Sequence, residues 1–119
     1  MTKLSMPKID RKLISKKADM VIDLKKMLKE ENVLDHEDQT RPFETDALSA
    51  YKQKPLAVVF PENTKEVSKI LAYCNKERIK VVPRGAGTGL SGGALPLEDS
   101  ILLCLGKFNK IINIDYKNR

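Results

Sequence analysis

Five of the protein's six glycines fall within one segment of nine residues, from Gly85 to Gly93. Glycine accepts positive φ angles and lets another molecule approach the backbone where a Cβ would block it. A loop of repeated glycines can therefore turn several N–H groups toward one point and form a concave site for an anion. Arg84, Thr88 and Ser91 add a cation and two hydroxyl groups. This pattern favours binding of a phosphate or pyrophosphate by backbone amides.

Two other kinds of glycine-rich segment fit these residues less well. A flexible linker is rich in Gly and Ser and otherwise featureless, whereas Pro83, Arg84 and Leu90 interrupt this one. A P-loop ends in Gly-Lys followed by Ser or Thr. Here the pair Gly106-Lys107 is followed by Phe108, so the P-loop signature is not met.

A dinucleotide-binding domain of Rossmann type is a third alternative. Residues 87–92 spell Gly-x-Gly-x-x-Gly, and Asp115 follows near the distance at which such a domain has its ribose-binding acid. That fold needs a helix that begins at the loop. Pro96 would break such a helix, and residues 101–105 form an apolar run typical of a buried strand. We predict a strand, glycine loop, strand arrangement; a helix after Gly93 would favour the alternative.

The loop resembles that of a known flavoprotein family. Residues 83–96, PRGAGTGLSGGALP, are similar to the FAD pyrophosphate loop of the vanillyl-alcohol oxidase superfamily, whose FAD-binding domain is called PCMH-type. Within it, the likeness is to the FAD-binding subunit of bacterial glycolate oxidase and its D-lactate dehydrogenase relatives. Further similar blocks lie at residues 44–51, 55–61 and 107–115, so the resemblance covers residues 41–119.

The resemblance implies that the chain binds FAD through the glycine loop. The implied cofactor-binding residues are Arg84, Gly85, Ala86, Gly87, Thr88, Gly89, Gly92 and Gly93. Thr88 stands where some members carry a histidine bonded to the flavin, so non-covalent binding is expected at this position. Arg84 either places a charge near the phosphates or pairs with a local carboxylate and braces the loop. Bracing is favoured slightly, because backbone amides dominate such sites.

The family reaction is oxidation of a 2-hydroxy acid, such as glycolate or D-lactate, to the 2-oxo acid with FAD as acceptor. Its substrate-binding groups and catalytic base come from later parts of the chain, so no catalytic residue is assigned here. We expect an N-terminal fragment of a flavoprotein subunit, inactive by itself, whose complete form acts on a small-molecule substrate and passes electrons to partner subunits or a quinone pool. A non-catalytic FAD-binding remnant of a split or truncated gene is the alternative.

Composition limits the other classes of partner. The chain has 119 residues, of which 41% are hydrophobic and 32% charged, as in one globular domain at most. Its net charge of +6 comes from lysines near the N-terminus without interleaved aromatic residues, which indicates a solvated helix face rather than a nucleic-acid site. No secretory signal or membrane-spanning run is recognised. We expect a cytoplasmic protein that reaches a membrane only through partner subunits.

The first 40 residues are predicted to form an amphipathic helix and a connection. Between residues 10 and 31, apolar side chains recur at helical spacing; they are Ile14, Ala18, Val21, Leu24 and Leu28. Residues 32–54 are polar and rich in turn formers, and we predict an irregular connection there. Within it, Asp46 and Tyr51 are candidate near-site residues, although a capping role for Asp46 is equally consistent.

Residues 41–119 are predicted to form the first, incomplete part of a PCMH-type domain. A strand at 56–60, a helix from Asn63 to Arg78 and a strand at 79–82 make a βαβ unit. Further strands are predicted at 101–105 and 111–114. The fold class is therefore α+β with α/β character: an N-terminal helix, then a βαβ unit with a glycine-rich loop and further strands.

The remaining side chains of chemical interest have structural interpretations. One helix face is predicted to be buried through Val67, Ile70, Leu71 and Cys74. Cys74 and Cys104 share no metal-like spacing and are predicted to pack in the core. The single histidine, His36, lies in an acidic polar stretch and is predicted to be exposed, so no metal site is expected.

Overall fold

The structure is a computed structural model that describes residues 5–119. Its α-helices are α1 (Arg11–Ser15), α2 (Lys17–Met27), α3 (Glu37–Thr40) and α4 (Thr64–Glu77). Short 3-10 helices span Glu30–Asn32 and Arg41–Phe43. The strands are β1 (Val33–Leu34), β2 (Ala57–Val59), β3 (Lys80–Arg84) and β4 (Ser100–Cys104). This mixture confirms the predicted α+β class.

The four strands form one mixed sheet in the order β1-β2-β4-β3. Strand β4 lies between β2 and β3 and is parallel to both, while β1 pairs with β2 in the antiparallel direction. Every residue of β4 is buried, as expected for a continuous apolar run in the centre of a sheet. Because α4 connects β2 to β3, the predicted βαβ unit is confirmed, with β4 inserted between its two strands.

Helix α4 begins and ends with the expected capping groups. The Asn63 side chain accepts a hydrogen bond from the Glu66 amide at 2.9 Å, and the Glu66 carboxylate accepts one from the Glu62 amide at 2.6 Å. Arg78 ends the helix in the left-handed region with φ of 55°. The helix buries Ile70 and Cys74 but leaves Leu71 47% exposed, so its predicted burial is wrong. One residue advances about 100° around a helix, which turns Leu71 away from the sheet.

The N-terminal helix differs from its prediction. Two helices, α1 and α2, replace one helix over 10–31, and they meet at Lys16. The buried side chains of this region are Leu13, Met20, Val21, Leu24 and Leu28, whereas Ile14 and Ala18 are exposed. Each residue advances about 100° around a helix, so Ile14 and Ala18 lie just beyond the face that Leu13, Met20 and Leu24 share, and the predicted face is displaced toward them.

Two further predictions are corrected. Residues 32–54 are not wholly irregular, because they contain β1, α3 and a 3-10 helix. Residues 111–114 do not form the predicted fourth strand, and Ile111 and Ile112 are 82% and 97% exposed. Apolar alternation alone does not make a strand, since a strand requires a partner for its backbone hydrogen bonds. No helix within residues 5–119 is long and apolar enough to cross a membrane.

Candidate functional site

The glycine segment follows β3 directly and lies at the carboxyl end of the parallel strands. Residues 85–93 form bends and turns, and residues 95–97 have no regular secondary structure and include the buried Pro96. The absence of a helix between Gly93 and β4 excludes the dinucleotide-binding alternative, which needs one at this point. Ligands of open α/β sheets bind at this end of the strands. The predicted strand, loop, strand arrangement is therefore confirmed.

The five loop glycines fall into two groups. Gly87 and Gly92 have φ of +70° and +77°, a conformation that side-chain-bearing residues rarely adopt. Gly85, Gly89 and Gly93 have no positive φ, and a Cβ built on any of them would meet no atom of the chain within 4 Å. The protein's own backbone and packing therefore explain the first group but not the second.

Arg84 braces the loop from beneath. The side chain is 7% exposed, and its Nε and Nη2 atoms donate to the Ala94 carbonyl at 3.2 and 2.7 Å. Nη2 also donates to the Thr45 carbonyl at 3.0 Å. A Cβ on Gly87 would lie 3.4 Å from Arg84 Cδ, so the side chain passes under the loop. Bracing is thus observed, although the partners are backbone carbonyls and not the expected carboxylate.

The segment before β2 forms a second support for the loop. The Ala47 amide donates to the Gly87 carbonyl at 3.0 Å. Asp46 is 7% exposed, and its Oδ1 accepts a hydrogen bond from the Leu48 amide at 2.8 Å. The capping role of Asp46 is therefore observed. Its other oxygen, Oδ2, is buried and has no hydrogen-bond partner among the described residues.

Two clefts flank the loop. One, of about 370 Å³, lies between residues 42–47 and residues 84–87, and Cys104 and Gly106 complete its wall. The other, of about 470 Å³, is lined by Leu48, Tyr51 and residues 91–93 together with apolar side chains. Asp46 and Tyr51 therefore both lie beside the loop, in different clefts. Thr88 and Gly89 are exposed and lie in sequence between the loop residues that line the two clefts.

Of the two cysteines and the histidine, only Cys104 lines one of the two clefts. Burial raises the pKa of the Cys74 thiol to about 11 and also raises the pKa of Cys104. The His36 side chain is 78% exposed and lines neither cleft. Within residues 5–119, no group of three or more His, Cys, Asp or Glu side chains could hold a metal ion.

Sequence reasoning missed two parts of this site. The carbonyl groups of Thr45 and Ala94 hold Arg84 in place, but a backbone carbonyl gives no signal in residue type. The buried oxygen of Asp46 was missed as well, because a sequence pattern that suggests capping accounts for only one carboxylate oxygen. Both features depend on the folding of residues 44–48 against a loop that is distant in the chain.

Comparison with known proteins decides the family. The sequence profile described as "FAD binding domain" matches residues 55–119, which is more than half of the chain. The chain belongs to the FAD-binding domain family. It is 40% identical over 111 residues to the glycolate oxidase subunit GlcD of Escherichia coli K12, and this match covers 93% of the chain and 21% of GlcD. FAD is therefore the cofactor of this domain.

Two further relatives support this assignment. The FAD-binding domain is 40% identical over 91 residues to the mitochondrial D-2-hydroxyglutarate dehydrogenase of Arabidopsis thaliana, a match covering 76% of the chain and 16% of that enzyme. A solved alkyldihydroxyacetonephosphate synthase has the same fold, with a TM-score of 0.69 and 17% identity over 97% of this chain and 22% of that one. The chain spans about a fifth of the length of these relatives. The PCMH-type resemblance is confirmed.

Proposed function

We propose that residues 84–93 bind the pyrophosphate of FAD in a flavin-dependent oxidoreductase of 2-hydroxy acids. The observation that carries this proposal is the open space over Gly85, Gly89 and Gly93, where the fold itself has no need for glycine. Glycine is also used where a ligand approaches the backbone closely. A pyrophosphate that contacts the loop amides would explain why glycine occupies these three positions.

The proposed cofactor-binding residues divide by role. Backbone amides of Gly85, Ala86, Gly87, Thr88 and Gly89, and again of Gly92 and Gly93, would hold the phosphates. Arg84 contributes by holding the loop, since its bonds to Ala94 and Thr45 commit the guanidinium to carbonyl groups. Successive amides in a turn make a partial positive charge without an ionised side chain.

The flavin is proposed to bind without a covalent bond. Thr88 offers a hydroxyl group in place of a nucleophilic imidazole or thiolate. Cys104 lines a cleft beside the loop, but its thiol is buried and its pKa is raised by burial. A thiol of raised pKa is a poor nucleophile because the thiolate is the reactive form.

The reaction follows from the relatives and is part of the same proposal. Both curated relatives are described by a 2-hydroxy acid in their names, glycolate for GlcD and D-2-hydroxyglutarate for the plant enzyme. When bound, FAD would accept a hydride from the α-carbon of such an acid. The contribution of this chain is to position the cofactor, and we assign none of its residues to the substrate.

The setting of the complete enzyme is also proposed. GlcD is named as a subunit, which supports electron transfer from the flavin to partner subunits. The two cysteines are free, and buried free thiols are typical of proteins in reducing compartments. We therefore propose a cytoplasmic location, with any membrane association made through partner subunits.

Titration of the purified 119-residue chain with FAD, followed by flavin fluorescence, tests this function. We expect saturable binding. Gly85→Ala should retain the circular dichroism spectrum and melting temperature but weaken FAD binding at least about tenfold, because only a ligand contacts the position of its Cβ. Gly87→Val should lose binding through strain at φ of +70°.

Ser68→Ala, on the exposed face of α4, is the matched control and should bind FAD as the unmodified chain does. A folded chain that does not bind FAD would refute the proposal. Equal affinity of Gly85→Ala and the unmodified chain would show that the open glycines do not contact the cofactor.

A further inference from the structure

Asp46 combines burial with an unmet hydrogen bond. The residue is only 7% exposed, and its Oδ1 is occupied by the Leu48 amide at 2.8 Å. Its Oδ2 has no partner among the described residues. Buried polar atoms in folded proteins almost always have a hydrogen-bond partner, so an exception indicates a group reserved for another purpose.

No cationic side chain within residues 5–119 forms a salt bridge with this carboxylate. The guanidinium of Arg84 lines the same cleft, but its observed hydrogen bonds go to the carbonyls of Ala94 and Thr45. The turn at Leu48 needs one oxygen as its cap, and an amide or hydroxyl side chain could supply that as well. The second oxygen therefore has no role in the fold.

The location of Asp46 limits what could meet this oxygen. Asp46 and the backbone of residues 85–87 line one cleft of about 370 Å³. A carboxylate repels phosphate, so the phosphates of a ligand would lie against the loop amides and not against Asp46. The part of a dinucleotide next to its phosphates is a chain or ring of hydroxyl-bearing carbons, and such hydroxyl groups are neutral donors.

We propose that Asp46 Oδ2 accepts a hydrogen bond from a hydroxyl group of the bound dinucleotide, adjacent to its pyrophosphate. This inference rests on the proposed function and adds a specific recognition contact to it. Asp46 is then the residue that favours a sugar-bearing phosphate over inorganic phosphate or pyrophosphate alone.

The contact requires only a small movement. Oδ2 is closed to water in this structure, but the terminal torsion of an aspartate is broad, and a rotation about it can present the second oxygen while the first stays near the Leu48 amide. The residues on either side of Asp46 support the loop: the Ala47 amide donates to the Gly87 carbonyl, and the Thr45 carbonyl accepts from Arg84, which braces the loop. The loop and the carboxylate therefore share one support.

Asp46→Asn is the decisive variant, studied in the full chain. The asparagine Oδ1 can still accept from the Leu48 amide, whereas Nδ2 replaces the second acceptor with a donor. We expect the Kd for FAD to rise about tenfold with an unchanged melting temperature. Asp46→Ser retains a cap and removes the second oxygen, so it gives the same test if Asp46→Asn alters folding.

The matched control is Asn63→Asp, which makes the reverse change at the cap of α4, at a residue that lines neither cleft beside the loop. It should leave FAD affinity unchanged. Competition by FMN and by ADP separates the two donor sources. If the Asp46 variants lose affinity for FMN only, the donor is a ribityl hydroxyl. If they lose affinity for ADP only, the donor lies in the adenosine half. Either result supports the inference.

Several results would overturn it. If the unmodified chain binds FAD and both Asp46 variants bind equally well or more tightly, Oδ2 has no donor partner, and only this inference fails. If the Asp46 variants lose as much affinity for inorganic pyrophosphate as for FAD, the substitutions distort the loop and Asp46 makes no contact with a hydroxyl group. If the unmodified chain does not bind FAD, the proposed function and this inference fail together.

Discussion

The sheet buries one carboxylate near each of its two ends, and their surroundings differ. Asp99, at the amino end of β4, is 1% exposed, and its Oδ2 accepts hydrogen bonds from Lys80 Nζ at 2.6 Å and from the Asp10 amide at 2.8 Å. Asp46, beside the loop at the carboxyl end of β3, has one oxygen capped and the other unpaired. Burial is similar, but only Asp99 has a cationic partner.

This difference separates two uses of a buried charge. Asp99 joins the chain before α1 to strands β3 and β4, and every partner in that contact belongs to the protein. At the other end, a Cβ on Gly85, Gly89 or Gly93 would meet only open space. The contacts at the amino end serve stability, whereas our proposal assigns the carboxyl end to a ligand.

Removing the brace at the carboxyl end should have the largest effect. Arg84→Ala leaves the carbonyls of Ala94 and Thr45 without their donor and removes a buried side chain. We expect a loss of about 3 kcal/mol in the free energy of unfolding, measured by urea denaturation, together with weaker FAD binding. Arg84→Lys should recover part of the stability, because an ammonium group lacks the planar fork that serves two carbonyls. Full recovery by lysine would contradict this geometry.

Removing the carboxylate at the amino end should have the next largest effect. Asp99→Ala leaves the Asp10 amide without its acceptor and leaves Lys80 Nζ with only the Lys8 carbonyl, at 3.4 Å. We expect a loss of about 2 kcal/mol in the free energy of unfolding, measured by urea denaturation, because half-exposed Lys80 can return to water. FAD affinity of the folded fraction should not change.

Asp46→Ala should reduce the free energy of unfolding by less, about 1 kcal/mol, because only the cap is lost. Equal losses in the free energy of unfolding for Asp99→Ala and Asp46→Ala would contradict the difference between the two ends of the sheet.

Lowering the pH should reduce the free energy of unfolding less than an alanine substitution does, because protonation of a carboxylate retains the shape of the side chain. Burial opposes ionisation of Asp99, but the hydrogen bonds from Lys80 and the Asp10 amide outweigh it and lower its pKa. Hydrogen bonds from Asn32 and Lys29 lower the pKa of Glu62 to about 2. A pKa lowered by folding contributes stability above the unfolded value, and that contribution is lost as pH falls through the folded value.

Urea midpoints should therefore fall as the pH is lowered from about 4.5 to about 2. Asp99→Asn should flatten this profile at its acidic end, since it removes one of the groups responsible. Glu62→Gln is the second variant for this test, because Glu62 lies just before α4 and lines neither cleft beside the loop. An unchanged profile in both variants would mean that other carboxylates control acid stability.

The central part of the fold could be predicted from the sequence. Strands β2, β3 and β4 and helix α4 carry strong local signals: short apolar runs bounded by proline or glycine, and a capped apolar stripe. Strand β1 could not be predicted, because two residues have no periodicity and Val33 becomes a strand residue only by pairing with Val59. Ile111 and Ile112 show the reverse case: they have the apolar pattern of a strand, but no strand among residues 5–119 pairs with them and they are exposed.

The site could be predicted only in its residue types. The glycine cluster predicts a loop that holds phosphate, and this stays a prediction. For Arg84 the sequence left two roles open and slightly favoured bracing, which its hydrogen bonds show. The identity of its partners, and the unpaired oxygen of Asp46, depend on how residues 44–48 fold against the loop. Those contacts join positions about forty residues apart, and a local pattern carries no information about them.

The position of β4 has a consequence for the order in which the protein folds. Strands β2 and β3 do not pair with each other, since each pairs with β4, which comes last in the chain. During synthesis, the earlier strands have no complete sheet to join until residue 104 has left the ribosome. Strands β2 and β3 therefore lack their shared partner until β4 has been synthesised, and pairing with it closes contacts between residues that are distant in the chain.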